Sequence, residues 1–341
     1  MKEIKTIIQI DNTLKTPIYK QIIDSVKSGI ESKLLKKGDL LPSINEICDE
    51  YNLAKGTVVT AYNSLRASGI ISSTHGKGFY VSKSNVDIDF NIFMIFDQIN
   101  PFKQIIYDSF VNELGVPSSS VTIFYHHYNF KLFENLINEN IGNFNYYVIM
   151  PHIKEDVSKV VKKLPKDRTL IIDNEVKSLS DHYPTICQAF EKDIFDSLVK
   201  ALDKIKKYQS ITFILSKKSF QFIPEDNIIG FNKFCDQYNI KYSFENDLKP
   251  DLVQKGKCFI IYNDNDLIEL IKTCRSKQLE LGKDIGLISY DDTPMKEILE
   301  GGISVISTDF ALLGKNAALM IKNKTKGRIE NPGSLILRKS L

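Results

Sequence analysis

In this 341-residue sequence, polar side chains recur directly after short apolar runs. Asp97 and Gln98 follow residues 90–96, His126 and His127 follow 121–125, His152 follows 146–150, and Asp173 with Asn174 follows 169–172. Asn263 and Asp264 come after 257–262, and Asp291 and Asp292 after 285–290. Carboxylates and amides supply paired hydrogen bonds to hydroxyls, and the rings of Phe102 and Phe310 can stack on the apolar face of a sugar. The chemistry on offer is binding of a small polar ligand. The competing use of each residue is helix capping: Asp266-Leu267-Ile268-Glu269 reads as a capping box, and Asp264 and Asp292 suit either role.

Catalytic chemistry is missing from the pattern. The sequence has no Gly-x-x-x-x-Gly-Lys-Ser/Thr, no Gly-x-Gly-x-x-Gly after a strand, and no nucleophile elbow. His126 and His127, adjacent at a strand end, point in opposite directions, and no third ligand is spaced to help them. Asn263-Asp264-Asn265-Asp266 lacks the glycine and the closing glutamate of a calcium loop. No catalytic residue, metal or cofactor is expected. A sugar-phosphate enzyme, the alternative reading, would want convergent arginines, whereas Arg168, Arg275 and Arg328 are scattered.

The elements that hold these side chains begin with a compact N-terminal unit. Ser43-Ile44-Asn45-Glu46 is a capping box behind Pro42, and Ile44, Ile47 and Tyr51 form one apolar face of a helix ending near Asn52. A second helix starts at Lys55; Val58, Tyr62 and Leu65 face inward, Thr57, Thr60 and Arg66 elsewhere, and Gly69 supplies a left-handed C-terminal cap. Its outer face, led by Lys55, Gly56 and Thr57, is free to enter a DNA major groove about 12 Å wide. Apolar runs at 70–72 and 79–81 flank Thr74-His75-Gly76-Lys77-Gly78, a hairpin with His75 and Lys77 at its tip. Together these elements read as a winged helix-turn-helix. Ahead of them, 4–10 alternates as a strand or arm, and Pro17 opens a helix striped by Ile18, Ile22, Val26 and Ile30.

Residues 82–89 are polar and read as a linker. Beyond them, strands at 90–96, 121–125, 146–150, 169–172, 211–215, 257–262 and 285–290 alternate with helices such as 102–114, 153–163, 190–207 and 267–281. Such alternation means parallel sheets with helices on both faces. Two groups of strands imply two lobes, with the ligand site at the carboxyl ends of the strands. The expected domains are 1–81, a linker at 82–89, and 90–341.

Composition is that of a globular chain, 43% hydrophobic and 26% charged. No apolar run approaches the roughly 20 residues of a membrane span, and Met1-Lys2-Glu3 is charged where a signal peptide would be apolar, so no membrane partner and a cytoplasmic location are expected. The five cysteines are scattered and odd in number, which suits buried thiols. Residues 1–83 carry 12 Lys and Arg against 8 Asp and Glu, and the remainder 33 against 34. The basic excess therefore lies on the segment expected to meet phosphates.

Two resemblances follow from quoted motifs. Pro17-Ile18-Tyr19-Lys20-Gln21-Ile22, Gly38-Asp39-Leu40-Leu41-Pro42-Ser43, Gly56-Thr57-Val58 and Gly76-Lys77-Gly78-Phe79-Tyr80-Val81 resemble the DNA-binding domain of GntR-type transcription factors, over residues 4–83. The resemblance implies DNA contact by Lys55, Gly56 and Thr57 and by His75 and Gly76 in the wing. Ser43, Asn45, Thr60 and Lys77 complete the candidate DNA-binding set. Arginine is usual in that family at Asn45 and Val59, and a serine or threonine cap at Ala54, so the operator should differ from the common one.

Phe96-Asp97-Gln98-Ile99-Asn100-Pro101-Phe102, Ile261-Tyr262-Asn263-Asp264, Gly286-Leu287-Ile288-Ser289-Tyr290-Asp291-Asp292-Thr293 and Ser307-Thr308-Asp309-Phe310-Ala311-Leu312-Leu313-Gly314 resemble the effector domain of LacI-type repressors, related to periplasmic sugar-binding proteins. This covers 90–341 and implies effector contacts by Asp97 or Gln98, Asn263, Asp291 and Phe310, with Thr308 at a further contact position. Phe102, His152 and Asn227 complete the candidate effector set. Arginine is usual near Asn227, and an Asp-Asn pair near Gln188, in hexose- or purine-binding members.

The expected fold is thus an α+β winged helix-turn-helix domain followed by an α/β two-lobed periplasmic-binding-protein-like domain. The expected function is sequence-specific transcription regulation, as a repressor, under control of a small sugar. The expected assembly is a homodimer on palindromic double-stranded operator DNA, with half-sites about 34 Å apart or a multiple of it.

Overall fold

The computed structural model describes residues 3–14, 16–74, 78–83, 90–115, 120–216 and 223–341. Contacts divide the chain into two compact units, one of residues 1–91 with 137–145 and 163–165, the other of the remainder.

The first unit contains α1 (Ile4–Ile7), α2 (Ile18–Glu31), α3 (Ile44–Tyr51), α4 (Lys55–Ala67), β1 (Ile71–Thr74) and β2 (Gly78–Val81). The strand or arm expected at 4–10 is instead the short helix α1. Ile7 and Ile8 are buried in the core, and the Tyr51 hydroxyl donates to the Ile8 carbonyl, a bond that a partner strand would otherwise make. The capping box of α3 is complete: Ser43 Oγ accepts from the Glu46 amide at 3.2 Å and Glu46 Oε2 from the Ser43 amide at 2.7 Å. Asn52 closes the helix in the left-handed region at φ 50°. Val58, Ala61, Tyr62 and Leu65 of α4 are buried in one cluster with Ile22, Val26, Ile30 and Ile47. Each large aliphatic side chain there contributes about 1.5–3 kcal/mol. The Tyr62 hydroxyl, buried with them, donates to the Pro42 carbonyl at 2.6 Å. β1 and β2 pair antiparallel from Ile71 opposite Val81 to Thr74 opposite Gly78.

The second unit holds β3 (Ile92–Phe96), β4 (Val121–Tyr125), β5 (Tyr146–Ile149), β6 (Thr169–Asp173), β7 (Thr185–Gln188), β8 (Ser210–Ile214), β9 (Tyr242–Glu245), β10 (Lys257–Ile261), β11 (Gly286–Tyr290), β12 (Ser304–Thr308), β13 (Arg328–Asn331) and β14 (Gly333–Ile336). Between them in sequence run α5 (Pro101–Leu114), α6 (Phe130–Asn140, whose last four residues count with the first unit), α7 (Ser158–Val161), α8 (Phe190–Lys200), α9 (Leu202–Ile205), α10 (Glu225–Gln237), α11 (Asp264–Ser276), α12 (Pro294–Ile298) and α13 (Phe310–Lys322).

One sheet has the order β13-β7-β6-β5-β3-β4, with every pairing parallel. The other has the order β14-β12-β11-β10-β8-β9, parallel except for β14 against β12. β3 and β11 are buried along their whole length, as strands covered on both faces must be. Strand order reverses at β3 in one sheet and at β8 in the other, and such switch points open crevices at the carboxyl ends.

The chain passes between the sheets three times, after β7, after β12 and between β13 and β14. Asn331, fully buried, ties two of these crossings together: its Nδ2 donates to Thr308 Oγ1 at 2.9 Å and to the Asp309 carbonyl at 3.0 Å. Helix packing is close enough to exclude a methyl group at two glycines. A Cβ at Gly314 of α13 would lie 2.3 Å from the Ile106 carbonyl oxygen of α5, and one at Gly230 of α10 would lie 2.3 Å from that of Glu191 in α8.

Several expected elements shift. The helix expected at 153–163 is only Ser158–Val161, because the Asp156 carboxylate accepts from the Ser158 amide and hydroxyl, both at 2.9 Å, and starts the helix there. The one expected at 190–207 breaks at Ala201 into α8 and α9. The one expected at 267–281 begins at Asp264, capped by Asn263 rather than by Asp266. Strands β7, β9, β12, β13 and β14 were not expected from periodicity, which has too few residues per face to show itself over four or five positions. Among the described residues no helix is long and apolar enough to cross a membrane.

Candidate ligand cleft and nucleic-acid face

On the first unit, Asn45, Lys55, Gly56 and Thr60 are exposed and Thr57 is half-buried. A Cβ at Gly56 would meet nothing within 4 Å, so packing does not demand glycine there; its effect is to leave the backbone of the first turn bare. Ala54 caps α4 without a side-chain hydrogen bond, and an uncapped helix start with a lysine beside it is suited to a phosphate. The Thr60 hydroxyl donates to the Gly56 carbonyl at 2.8 Å. Ser43, although exposed, has its hydroxyl held in the capping box. His75, Gly76 and Lys77 lie outside the described residues.

On the second unit, the carboxyl ends of the strands enclose a cavity of about 50 Å³, lined by Asp97, Gln98, Asn100, Phe102, Lys103, Tyr128, His152, Asp173, Gln188, Phe190, Pro224, Asn227, Tyr262, Tyr290, Asp291 and Phe310. Its floor is a chain of charged groups. Lys103 Nζ lies 3.4 Å from Asp97 Oδ1, His152 Nδ1 lies 2.8 Å from Asp97 Oδ2, and His152 Nε2 lies 2.7 Å from Asp173 Oδ2. Gln188 Nε2 donates to Asp173 Oδ1 at 2.5 Å, and the Tyr128 hydroxyl to Asp97 Oδ2 at 3.3 Å.

Burial alone would depress the His152 imidazole, but the carboxylates of Asp173 and Asp97 outweigh it and hold the ring up at about 9. Burial pushes the Asp97 carboxyl up, and Lys103 and His152 more than reverse this, leaving it well below the usual range; His152 does the same for Asp173. The imidazole is therefore a cation clamped between two anions. Asp291 differs: burial dominates there and raises its carboxyl to about 6.

The walls are aromatic. Phe102 and Phe310 stack at 4.8 Å and 16°, and Tyr262 and Tyr290 at 3.8 Å and 14°. Asn227 is buried, and its Oδ1 accepts from the Tyr290 hydroxyl at 3.0 Å. Asp173 and Asp291 both occupy the left-handed region, at φ 75° and 58°. Such backbone costs of order 1–3 kcal/mol and tends to persist at functional sites.

Of the sequence-derived effector set, Asp97, Gln98, Phe102, His152, Asn227, Asp291 and Phe310 converge on this cavity. Asn263 and Thr308 do not line it. The Asn263 side chain caps α11 by accepting from the Asn265 amide at 2.7 Å, and the Thr308 hydroxyl donates to the Pro332 carbonyl at 3.2 Å, within the inter-sheet crossings. His126 is also withdrawn: its ring contacts the Met150 carbonyl at 3.1 Å and the Tyr128 amide at 3.2 Å, and burial lowers it to about 4. Lys103, Tyr128, Phe190, Tyr262 and Tyr290 line the cavity without having been singled out. Tyr262 and Tyr290 sit in quoted motifs and end their strands, a signal available beforehand; Lys103, inside a helix, gave none.

Residues 18–81 match the family model of bacterial regulatory proteins, gntR family, and 229–341 match that of a periplasmic binding protein-like domain. Over 104 residues the chain is 36% identical to the HTH-type transcriptional repressor YtrA of Bacillus subtilis, covering 30% of this chain and 78% of that one. Over 82 residues it is 33% identical to the mannosyl-D-glycerate transport/metabolism system repressor MngR of Escherichia coli, covering 24% of this chain and 34% of that one. Over 74% of this chain the fold is similar to that of the lac repressor dimer bound to operator and the anti-inducer ONPF, with a TM-score of 0.60 at 16% identity over 94% of the other chain. It is likewise similar to that of a LacI family transcriptional regulator from Lactobacillus casei with bound glucose, with a TM-score of 0.59 at 14% identity over 74% of this chain and 99% of the other. With its capped two-helix unit, bare-started α4 and paired parallel sheets, the chain belongs to the gntR family of bacterial regulatory proteins and joins that family's helix-turn-helix unit to a periplasmic-binding-protein-like one.

Proposed function

We propose that this protein is a sequence-specific transcription repressor, not an enzyme, whose hold on operator DNA is controlled by a small sugar in the cleft of the second unit. The observation that carries the reading is the size of that cleft. About 50 Å³ is enclosed, whereas ligand pockets run to hundreds of cubic ångströms, so a hexose enters only if the walls rearrange. Binding is then coupled to a change of conformation, which a regulator requires.

Lys55, Gly56, Thr57 and Thr60 of α4, with Asn45 and the wing residues His75, Gly76 and Lys77, contact DNA in this reading, and Ser43 fixes the start of α3. Asp291, Asn227, Gln98, Phe102 and Phe310 contact the sugar, while Asp97 and His152 hold the floor. The DNA-binding domain spans 1–81, the linker 82–89 and the effector domain 90–341. Two copies bind a palindromic double-stranded operator in the cytoplasm, by analogy with the lac repressor dimer bound to operator and the glucose-bound Lactobacillus casei regulator.

The test is fluorescence anisotropy on an operator duplex selected with the full chain. Lys55→Ala should weaken binding about tenfold or more, since a charge-assisted contact is lost. Unchanged affinity and sequence preference in that variant would remove α4 from the DNA interface. A sugar that binds the protein yet leaves operator affinity untouched would end the regulatory reading.

A further inference from the structure

The charged residues lining the cleft are three carboxylates, Asp97, Asp173 and Asp291, and two cations, Lys103 and His152. Both cations are engaged, Lys103 with Asp97 and His152 with Asp97 and Asp173. Asp291 is left over. Its carboxylate makes no hydrogen bond and has no cation within ion-pair distance among the described residues. Lys296, five residues on, is turned elsewhere: its Nζ donates to the carbonyls of Tyr290 and Asp291 at 2.6 and 3.1 Å and pairs with Asp264 Oδ1 at 3.1 Å. That lysine thereby clamps the left-handed backbone at Asp291 and favours its charged carboxylate electrostatically, without forming an ion pair with it.

An independent observation lies in the same cavity. Asn227 is 1% exposed and lines it; its Oδ1 is taken by the Tyr290 hydroxyl, and its Nδ2 finds no acceptor among the described residues. Buried polar groups are almost always paired, so the unpaired Asn227 amide donor, with the half-buried Asp291 carboxylate facing the same cavity, describes what a ligand there would carry. It offers an oxygen to Asn227 and a donor, preferably a charged one, to Asp291.

We infer that the effector is an amino sugar, its ammonium paired with the Asp291 carboxylate and one of its oxygens accepting from Asn227 Nδ2. The inference rests on the reading of the cleft as a sugar site and names the class of sugar. A neutral hexose gives the half-buried Asp291 carboxylate hydroxyl hydrogen bonds but no countercharge. A sugar phosphate adds to it and meets no free cation, because Lys103 and His152 are engaged. The rings of Tyr262, Tyr290, Phe102 and Phe310 suit the apolar face of a pyranose and favour a nearby cation as well. Burial has also raised the Asp291 carboxyl to about 6, so pairing with an ammonium would ionise it and release a proton.

Isothermal titration of the full chain near its Asp291 midpoint, about pH 6, in two buffers of different ionisation enthalpy tests this. Glucosamine, galactosamine and mannosamine are compared with glucose, galactose and mannose, with the N-acetylated sugars and with the hexose 6-phosphates. One amino sugar should bind about tenfold or more tighter than its neutral and N-acetylated counterparts, with release of up to about half a proton. Asp291→Asn, of the same shape and checked for an unchanged melting profile, should abolish both the preference and the proton release. Equal or tighter binding of a neutral or phosphorylated hexose overturns the amine assignment and leaves the sugar site standing. Absence of binding across the whole panel overturns both.

Discussion

His152 shows how one residue can tie two strand ends of a cleft together. Its ring nitrogens lie 2.8 and 2.7 Å from two buried carboxylates on different strand ends, so it fixes the distance between β3 and β6 at the crevice. Replacing it by glutamine leaves Asp97 and Asp173 facing each other without their shared cation, which should cost about 3–5 kcal/mol in urea unfolding near neutral pH. The pH dependence has a definite sign. The imidazole is raised from 6.5 to about 9, so its contribution is complete below 6.5 and is lost as pH rises towards 9. Asp97 and Asp173 are depressed, so theirs is complete above about 4 and is lost on acidification. The contribution of this cluster should therefore be greatest between about pH 4 and 6.5, and the alkaline decline should be blunted in His152→Gln. A decline of the same steepness in that variant would mean that another group governs it.

Among the elements, helices α5 and α13 pack closely, and Gly314 makes this possible. The Ile106 carbonyl oxygen stands 2.3 Å from where a Cβ would be, and backbone cannot move aside as a flexible side chain can. Gly314→Ala should destabilise the second unit by about 1–3 kcal/mol or more through overpacking, seen as a lower midpoint in denaturant at unchanged m-value. Gly56→Ala, in open space and in a helix, should leave stability equal or slightly improved, so that any loss of DNA binding in that variant reports on the interface alone. The contrast between the two glycines was not legible in the sequence. Both stand inside helical patterns, and only the neighbouring element distinguishes a glycine required for packing from one kept for access.

For the whole molecule, the separation of charge makes a prediction that the two binding functions answer differently. The basic excess lies in residues 1–83, with 12 cations against 8 anions, while the remainder is nearly balanced. If a dimer neutralises six or more phosphates, operator affinity should fall on the order of 10³-fold between roughly 50 and 200 mM salt. Sugar affinity, set inside a closed cleft, should change about twofold at most, because buried pairs are screened weakly. Parallel titrations of DNA and ligand across salt check this, and a flat DNA response would argue against phosphate contacts.

Local chemistry determined much of this protein from its sequence alone. The Ser43 and Glu46 box, the Gly69 stop, the inward stripe of α4 and the alternation of apolar runs with amphipathic helices are all written within a few residues of where they act. So is the rule that polar residues after parallel strands face a crevice, which brought Asp97, Gln98, His152 and Asp291 forward. Only the tertiary structure decided which of those polar groups were free. Asn263 caps its own helix, Thr308 bonds within a crossing between sheets, and Asp97 and Asp173 are taken up by His152. Asp291 and Asn227 are left facing the cavity. The physical reason is that hydrogen bonds and ion pairs saturate. Whether a side chain can still bind a ligand depends on partners dozens of residues away, and those are fixed only when the strands are laid side by side.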